Sequence, residues 1–475
     1  MTIRKVTNRS STIDVSPASV SDVANTSTGG FDLPSGTTAQ RPGSALTGSQ
    51  RYNTDLEVFE YYDGTAWKKV SAVIPILATV SGDIKVGYAS TLTLTGVGFL
   101  VSSLVVNFEQ TSDSINVNVT VTPSSDGAAT VAVPSSVYSN VTANNVVAIK
   151  VTNSDNQVSS IVNKTAFAAP TGGTITTTSN YRYHAFTSSS TFVTQYDLNA
   201  DIVVVAGGGG GGSWVPGGGG AGGLIDAQYS SAGIVLNGTH SITVGSGGTG
   251  TINPGGYSWS GGTRGLDSYI EKSGTKILTA AGGGRGGTYD SNSDGTRLAS
   301  SGGSGGGKGK ANQSNAAGIQ TTATSTPGES NAMSANSRTY GYGADGGSSS
   351  SNEGYGQEGG GGASGTLRAD ADGQHGRTIA WLDSDSQTFG TNSSNSATSG
   401  NYFAGGGGAG GHSSGIPIGE GGNGGGANGR TQSTSKAPSG LANTGGGGGG
   451  GGNSGGSRSE GGNGGSGIVI IRYPI

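Results

Sequence analysis

Residues 200–212 read ADIVVVAGGGGGG, an apolar strand that runs directly into six consecutive glycines. The end of the chain repeats this arrangement in reverse, with Gly464–Gly467 leading into the apolar run Ile468–Tyr473. A continuous apolar run bounded by glycine is consistent with a strand buried on both faces. Since such a strand stands at each end of the glycine-rich region, we predict that the two pair at its base and close it into a folded domain.

The region between these strands holds most of the glycine in the chain. Of 96 glycines, 13 precede Asp201 and the other 83 follow it. Glycine loses more backbone entropy on folding than any other residue, so an ordered tract must give each of its backbone groups a partner. A flexible linker is the usual meaning of this composition, but structured-looking segments such as Lys276–Ala280 interrupt the tracts.

Polyglycine II helices, which are extended helices with three residues per turn, account best for these glycine tracts among the structures considered. Collagen requires a strict Gly-X-Y period, which the tracts do not keep, and a calcium-binding β-roll needs an aspartate that Gly461–Gly465 lacks. Neighbouring helices without side chains can approach closely and hydrogen-bond to each other. At about 3.1 Å per residue, Gly445–Gly452 would form a rod about 25 Å long. We therefore expect Gly448→Val to be destabilising, and the same change at Gly400, in a connecting loop, to be nearly silent.

Residues 72–167 have a different pattern. Apolar and polar residues alternate in Thr91–Thr95 and Ile115–Val121, as in strands that bury one face, and several such strands predict a sandwich of two sheets. The step Gly96–Phe99 after an alternating strand resembles immunoglobulin-like domains of the IPT/TIG kind, and the resemblance implies a spacer domain.

The first 71 residues are predicted to form an arm followed by a β module for attachment or oligomerisation. Asp63-Gly64 lies between aromatic and β-branched residues, which predicts a short hairpin. The module buries too little to stand alone, so we expect it to pair with other copies or with a partner. The pattern in Gly36–Pro42, Gly48–Thr54 and Phe59–Trp67 resembles a β module common in tail fibres and virion proteins of marine phages, many of them trimeric. That resemblance implies a homotrimer joined to other tail or baseplate proteins through the N-terminus.

The glycine-rich region resembles the C-terminal domain of bacteriophage tail fibres and tip adhesins over about residues 178–475. The residues that carry the resemblance include Tyr183–Thr187, Asp201–Ala206, Gly217–Gly223, Leu278–Gly284 and Gly464–Tyr473. The resemblance implies a virion protein that acts outside the cell and binds a host surface receptor, protein or glycan, during adsorption. It also implies a polyglycine scaffold with receptor-binding loops between about 288 and 400. The alternative is a structural virion protein without a receptor, such as a capsid fibre or tail decoration.

The predicted fold class is therefore mainly β with polyglycine II helices. It comprises a β attachment module (1–71), an immunoglobulin-like sandwich (72–167), an anchoring β segment (168–206) and a polyglycine-helix bundle (207–475) capped by a small sheet.

Aromatic residues between the tracts are the better candidates for recognition, because exposed rings supply contact area and stack on sugar faces at low entropic cost. Trp381 stands in a charged stretch and is expected to be exposed. The predicted receptor-binding residues are Tyr289, Tyr340, Tyr342, Tyr355, Trp381, Phe389 and Tyr402.

Composition and motifs point away from an enzyme. Only 11% of the residues are charged and the net charge is −4, which argues against a nucleic-acid or polybasic membrane site, and no apolar run is long enough to span a bilayer. Asp290, Asn292 and Asp294 match the first half of an EF-hand calcium loop, but the twelfth position is Ser301, so a polar turn is the alternative to calcium. We expect no cofactor and no catalytic residues.

Overall fold

Strands account for most of the regular structure of the chain, which is mainly β-sheet. The computed structural model describes residues 34–69, 74–232, 234–252, 262–288, 298–309, 341–346, 358–364, 368, 371–394, 399–412, 417–431, 435–454 and 457–475. The helices of these residues are short, namely α1 (Ser135–Tyr138), α2 (Tyr229–Ala232) and α3 (Ala380–Ser384).

The N-terminal module is a four-stranded sheet in the order β1-β2-β3-β4. Its strands are β1 (Ser35–Gly36), β2 (Gln50–Asn53), β3 (Val58–Tyr62) and β4 (Trp67–Lys69). The hairpin predicted at Asp63-Gly64 is confirmed: the Asp63 carboxylate accepts the N–H groups of Thr65 and Ala66 at 2.8 and 2.7 Å, and Gly64 has a φ of +99°. One face of the sheet buries Glu60, while Phe59 on the other face is 45% exposed.

Two sheets share one apolar core in residues 76–167. Their strands are β5 (Ile76–Ser81), β6 (Ile84–Lys85), β7 (Thr91–Val97), β8 (Leu104–Gln110), β9 (Ile115–Val121), β10 (Ala128–Ala132), β11 (Val146–Asn153) and β12 (Val162–Phe167). One sheet has the order β10-β7-β5 and the other the order β6-β12-β11-β8-β9. The alternation of apolar and polar residues predicts two of these strands, β7 and β9. Along β7, Leu92 and Leu94 are buried while the threonines beside them are exposed.

The glycine-rich region stands on two further sheets, which we call the base. The remaining strands of the chain are β13 (Thr174–Thr177), β14 (Tyr181–Phe186), β15 (Ser190–Asn199), β16 (Asp201–Val205), β17 (Leu224–Ala227), β18 (Val235–Thr243), β19 (Ser268–Lys272), β20 (Thr275–Ala280), β21 (Gly341–Tyr342), β22 (Arg377–Thr378), β23 (Gly390–Thr391), β24 (Ser399–Gly400), β25 (Tyr402–Phe403), β26 (Asn453–Ser454), β27 (Ser457–Arg458) and β28 (Ile468–Pro474). The base consists of a six-stranded sheet, β13-β14-β28-β16-β17-β21, and a four-stranded sheet, β15-β18-β19-β20.

The predicted pairing of the two terminal apolar strands is confirmed. Strands β16 and β28 are antiparallel neighbours, with Val204 opposite Val469. One face of these strands packs against the four-stranded sheet, and the other packs against α3 and Phe403. Because both faces are covered, positions 202–205 and 468–471 favour apolar residues, and burying each such side chain contributes roughly 1.5–3 kcal/mol.

The two-sheet unit of residues 76–167 and the base share side-chain contacts. Tyr88, which precedes β7, is 3% exposed and belongs to the core of the base. Its hydroxyl lies 3.1 Å from that of Tyr473, and the Arg182 guanidinium lies 5.0 Å from the centre of its ring. The two units are therefore joined by packed side chains as well as by the connecting chain.

The glycine tracts form an array joined by backbone hydrogen bonds rather than by strand ladders. The tract Gly207–Gly212 donates to three segments and accepts from three others, at 2.8–3.1 Å. Its donors repeat with a period of three: Gly207 and Gly210 bond to segment 263–266, Gly208 and Gly211 to 462–465, and Gly209 and Gly212 to 217–220. The same period holds in the next tract, where Gly217, Gly220 and Gly223 donate to segment 281–287. Each of these buried N–H groups therefore has a partner.

The space around Gly448 and Gly400 supports one of the two expectations for side chains at these positions. A Cβ at Gly448 would lie 2.2 Å from the Gly462 carbonyl oxygen, a contact that only backbone movement could relieve. The expectation that Gly400 is nearly silent is wrong. Gly400 is buried and pairs with Gly390 in a small sheet, and a Cβ there would lie 2.7 Å from the Asn392 backbone nitrogen.

Candidate functional site

The array has two ends of different chemistry. At the base, the tracts continue into strands, as Val205 does into Gly207–Gly212. At the opposite end, which we call the far end, connections of polar, aromatic and apolar residues join the tracts and contact one another. Their described residues are 213–216, 411–412, 430–431, 452–454 and 457–459. The Gly411 N–H donates to the Arg430 carbonyl at 2.8 Å and the Asn453 N–H donates to the Gly411 carbonyl at 3.0 Å.

Trp214 and Arg458 form a side-chain pair within the described residues of the far end. Trp214 lies in the connection 213–216, which turns tightly. Trp214 and Val215 have φ values of +52° and +58°, which bulky and β-branched residues rarely adopt. The neighbouring Ser213 hydroxyl donates to the Ser459 carbonyl at 2.7 Å. The Arg458 guanidinium lies 3.8 Å from the centre of the Trp214 ring. A half-buried ring with a stacked cation is thus held at the far end. Arg458 is not among the residues predicted from the sequence.

The predicted exposure of Trp381 is wrong. Trp381 is 6% exposed, because α3 lays it and Leu382 on the six-stranded sheet. Its Nε1–H donates to Asp226 at 2.9 Å, and the Arg472 guanidinium lies 4.2 Å from its ring. The charged residues around Trp381 therefore include partners in a buried network rather than only a solvated surface.

Three other predicted aromatic residues lie near the base. Phe389 and Tyr402 are half-buried, and the Phe389 ring lies 5.8 Å from that of Tyr183. Tyr342 is also half-buried, with the Arg377 guanidinium 3.7 Å from its ring. The other members of the predicted set, together with the calcium loop, lie outside the described residues: Tyr289, Tyr340, Tyr355, Asp290, Asn292 and Asp294.

Arg472 is the centre of a buried polar network in the base. It is 6% exposed, its Nε–H donates to Asp201 at 2.9 Å, and its Nη1 donates to Asp385 at 2.5 Å. Burial acts to lower the pKa of Arg472, but the hydrogen bonds to Asp201 and Asp385 outweigh it and the pKa is raised. The Tyr183 hydroxyl donates to the same Asp385 carboxylate. The network therefore ties β28 to β16 and to the segment that follows α3.

Two buried histidines of the base should make its stability depend on pH. The Gly172 carbonyl lies 2.6 Å from His184 Nδ1 and the Tyr473 hydroxyl lies 2.9 Å from Nε2, so Nδ1 carries the proton. Burial lowers the pKa of His184, although the hydrogen bond to Gly172 acts in the opposite direction, and burial also lowers the pKa of His240. Below the ordinary histidine pKa of about 6.5 the unfolded chain binds protons that the folded base excludes, so stability falls as the pH falls.

We therefore expect the urea midpoint of the base to decrease between pH 7.5 and pH 5. Each histidine contributes up to about 1.4 kcal/mol per pH unit in this range. In His184→Gln the decrease should be smaller than in the wild type, because one titrating group is gone. A decrease of the same size in both proteins would contradict the assignment.

The described residues contain no cluster of three or more histidine, aspartate or glutamate side chains able to hold a metal ion. In the same part of the chain, no helix has the length and apolar character needed to cross a membrane.

The chain belongs to a protein family described as "Glycine-rich domain", which matches residues 185–474. The match begins in β14 and ends in β28, and so covers the paired apolar strands β16 and β28 together with the whole array. No curated protein matches the chain significantly.

Proposed function

We propose that this protein is a bacteriophage tail-fibre or tip adhesin, which binds the host cell surface during adsorption and carries out no catalysis. The observation that supports the proposal best is the glycine array itself. Its backbone groups are used within the array, so what remains for recognition is presented by the connections at its ends. A rigid scaffold with polar and aromatic residues gathered at one end suits a protein that presents a contact surface.

The glycine tracts are polyglycine II helices in this proposal. Three residues per turn would direct every third N–H group to the same neighbour, which agrees with the period of three in Gly207–Gly212 and Gly217–Gly223. The far end would then be the host-contacting surface, with the half-buried pair of Trp214 and Arg458 at its centre. The proposed host-contacting surface is therefore the far end rather than the 288–400 loops, because Trp381 and Phe389 of those loops lie near the base.

The other parts of the chain have supporting roles in the same proposal. Residues 76–167 are an immunoglobulin-like spacer, in keeping with two sheets around one core. The N-terminal module attaches the protein to other virion proteins and joins three copies. The exposed rings of Phe59 and Tyr61 on one face of its sheet support this assignment, since monomeric surfaces expose few large apolar patches.

The proposal is tested by competition. Purified full-length protein, shown by sedimentation to have the expected trimer mass, is added in excess to host cells before the virus that carries it. We expect the adsorption rate, counted as free virus, to fall at least about tenfold, as for a ligand whose receptor is saturated. Trp214→Asn with Arg458→Gln should compete at least about tenfold less well, which corresponds to roughly 1.4 kcal/mol of binding free energy.

Asparagine suits position 214 because it tolerates the left-handed backbone. The matched control is Tyr229→Ala, which removes a 40% exposed ring from α2 at the base and should compete like the wild type. Protein that labels the virion but neither binds cells nor slows adsorption would favour a structural role, such as a capsid fibre or tail decoration. Release of sugar from the host envelope would instead indicate an enzyme.

A further inference from the structure

An open cleft lies at the base of the array, where the four-stranded sheet meets the first glycines of two tracts. It has a volume of about 730 Å³, and its lining includes Thr243, Val244, Arg264, Leu266, Asp267 and Tyr269. Its size falls within the range of roughly 300–1,000 Å³ that is typical of small-molecule sites.

The strand register places Tyr269 on the outer face of the sheet. Tyr269 is paired with Thr243 on one side and with Thr279 on the other. Their neighbours Ile270 and Leu278 point into the core of the base, and successive side chains of a strand alternate between faces. The ring of Tyr269 is half-buried, and Lys276 Nζ lies 3.9 Å from its centre.

The polar groups of the cleft have unused hydrogen-bonding capacity. Among the described residues, Arg264 donates a single side-chain hydrogen bond, to the Gly282 carbonyl at 3.4 Å. Asp267 Oδ1 accepts the Gly282 N–H at 2.9 Å, whereas Oδ2 and the Tyr269 hydroxyl have no partner in the described part of the chain. Leu266 adds an apolar surface that is 61% exposed. The cleft thus offers donors, an acceptor, a ring and an apolar wall to a ligand.

These groups together favour one class of ligand. A saccharide ring presents hydroxyl groups, which both donate and accept, and an apolar C–H face that packs on an aromatic ring. A guanidinium and a carboxylate in one cleft can bind such hydroxyls. Because the lining carries charge of both signs, it suits a ligand without net charge whose hydroxyls both donate and accept. We propose that this cleft binds a neutral hexose unit of a bacterial surface glycan. Its biological meaning rests on the proposed adhesin function, but the binding itself rests on the cleft alone.

Saturation-transfer NMR with the full-length protein tests the proposal. The probes are four neutral tetrasaccharides, built of glucose, galactose, mannose or N-acetylglucosamine. We expect saturation transfer to at least one of them. Arg264→Gln combined with Asp267→Asn should weaken its binding about tenfold or more, since hydrogen bonds to charged groups are among the stronger ones. The Asn side chain can still accept the Gly282 N–H, so this variant keeps the local backbone contact.

The matched control is Lys150→Gln with Glu109→Gln, which removes one cation and one carboxylate from a partly exposed pair in the two-sheet unit of residues 76–167. The control should bind the tetrasaccharide like the wild type. The proposal is overturned if none of the four probes receives saturation, or if binding is equal in the cleft variant and the control. Adsorption that is blocked by protein with no saccharide binding would overturn the cleft and leave the adhesin function standing. Saccharide binding without any effect on adsorption would support the cleft and contradict the adhesin function.

Discussion

Gly448→Val is expected to destabilise the glycine-rich region by about 3 kcal/mol or more, at the upper end of the usual cost of overpacking. The added Cβ would meet carbonyl oxygens of Gly462 and Asn463 at 2.2 and 2.7 Å. Overpacked cores usually adapt by rotating side chains, but the neighbours here are backbone. The Gly448 N–H and carbonyl are also bonded to Gly209 and Gly219, at 2.9 and 2.8 Å, so moving the tract breaks hydrogen bonds on two sides.

The measurement combines urea unfolding with amide hydrogen exchange. Exchange should be slow in the tracts of the wild-type protein and fast in the variant, since opening one tract removes the partners of its neighbours. Gly43→Val is the matched control, because a Cβ at Gly43 has no atom within 4 Å, and it should change stability by less than about 0.5 kcal/mol. Equal tolerance at both positions, with fast exchange in residues 445–452, would mean that the tracts do not form a packed array.

The sequence predicts the frame of the glycine-rich region because its signals are strong and local. Uninterrupted apolar runs at 202–205 and 468–471 are typical of strands covered on both faces, and the pairing of β16 with β28 follows from their positions at the two ends. Alternation predicts β7 and β9 in the same way. Which tract neighbours which is a different matter. Glycine carries no side chain, so nothing in the sequence distinguishes Gly209 as a partner of Gly220 from any other tract.

Side-chain placement between the tracts was harder to predict for a related reason. The charges near Trp381 suggested a solvated loop, yet Asp385 pairs with Arg472, 87 residues further along the chain. Gly400 looked like a loop residue, but it lies in a short strand opposite Gly390. Non-local pairing of this kind leaves no periodic signal in the sequence. In the same way, a tryptophan between two glycine tracts, as at position 214, indicates a turn but does not indicate that Arg458 stacks on its ring.

Arg472→Met is expected to destabilise the base by about 3–5 kcal/mol, the usual cost of removing one partner from a buried ionic network. Methionine fills part of the space but leaves the carboxylates of Asp201 and Asp385, whose side chains are 17% and 15% exposed, without their cation. The change should also loosen the segment after α3, because the Asp385 carboxylate would lose the Arg472 guanidinium and keep, within the described part of the chain, the Tyr183 hydroxyl. Trp381 lies against Arg472. The fluorescence of Trp381, followed during urea unfolding, therefore measures the loss of stability of the base.

The matched control is Lys150→Met, which breaks a partly exposed ion pair with Glu109 and should cost less than about 1 kcal/mol. The triple variant Arg472→Met with Asp201→Asn and Asp385→Asn separates the two sources of the loss. Most of the cost of the single change is the desolvation of unpaired charge, so neutralising both carboxylates should recover more than half of it. A triple variant no more stable than Arg472→Met would mean that the loss comes from packing against the rings of Tyr181 and Trp381 rather than from buried charge.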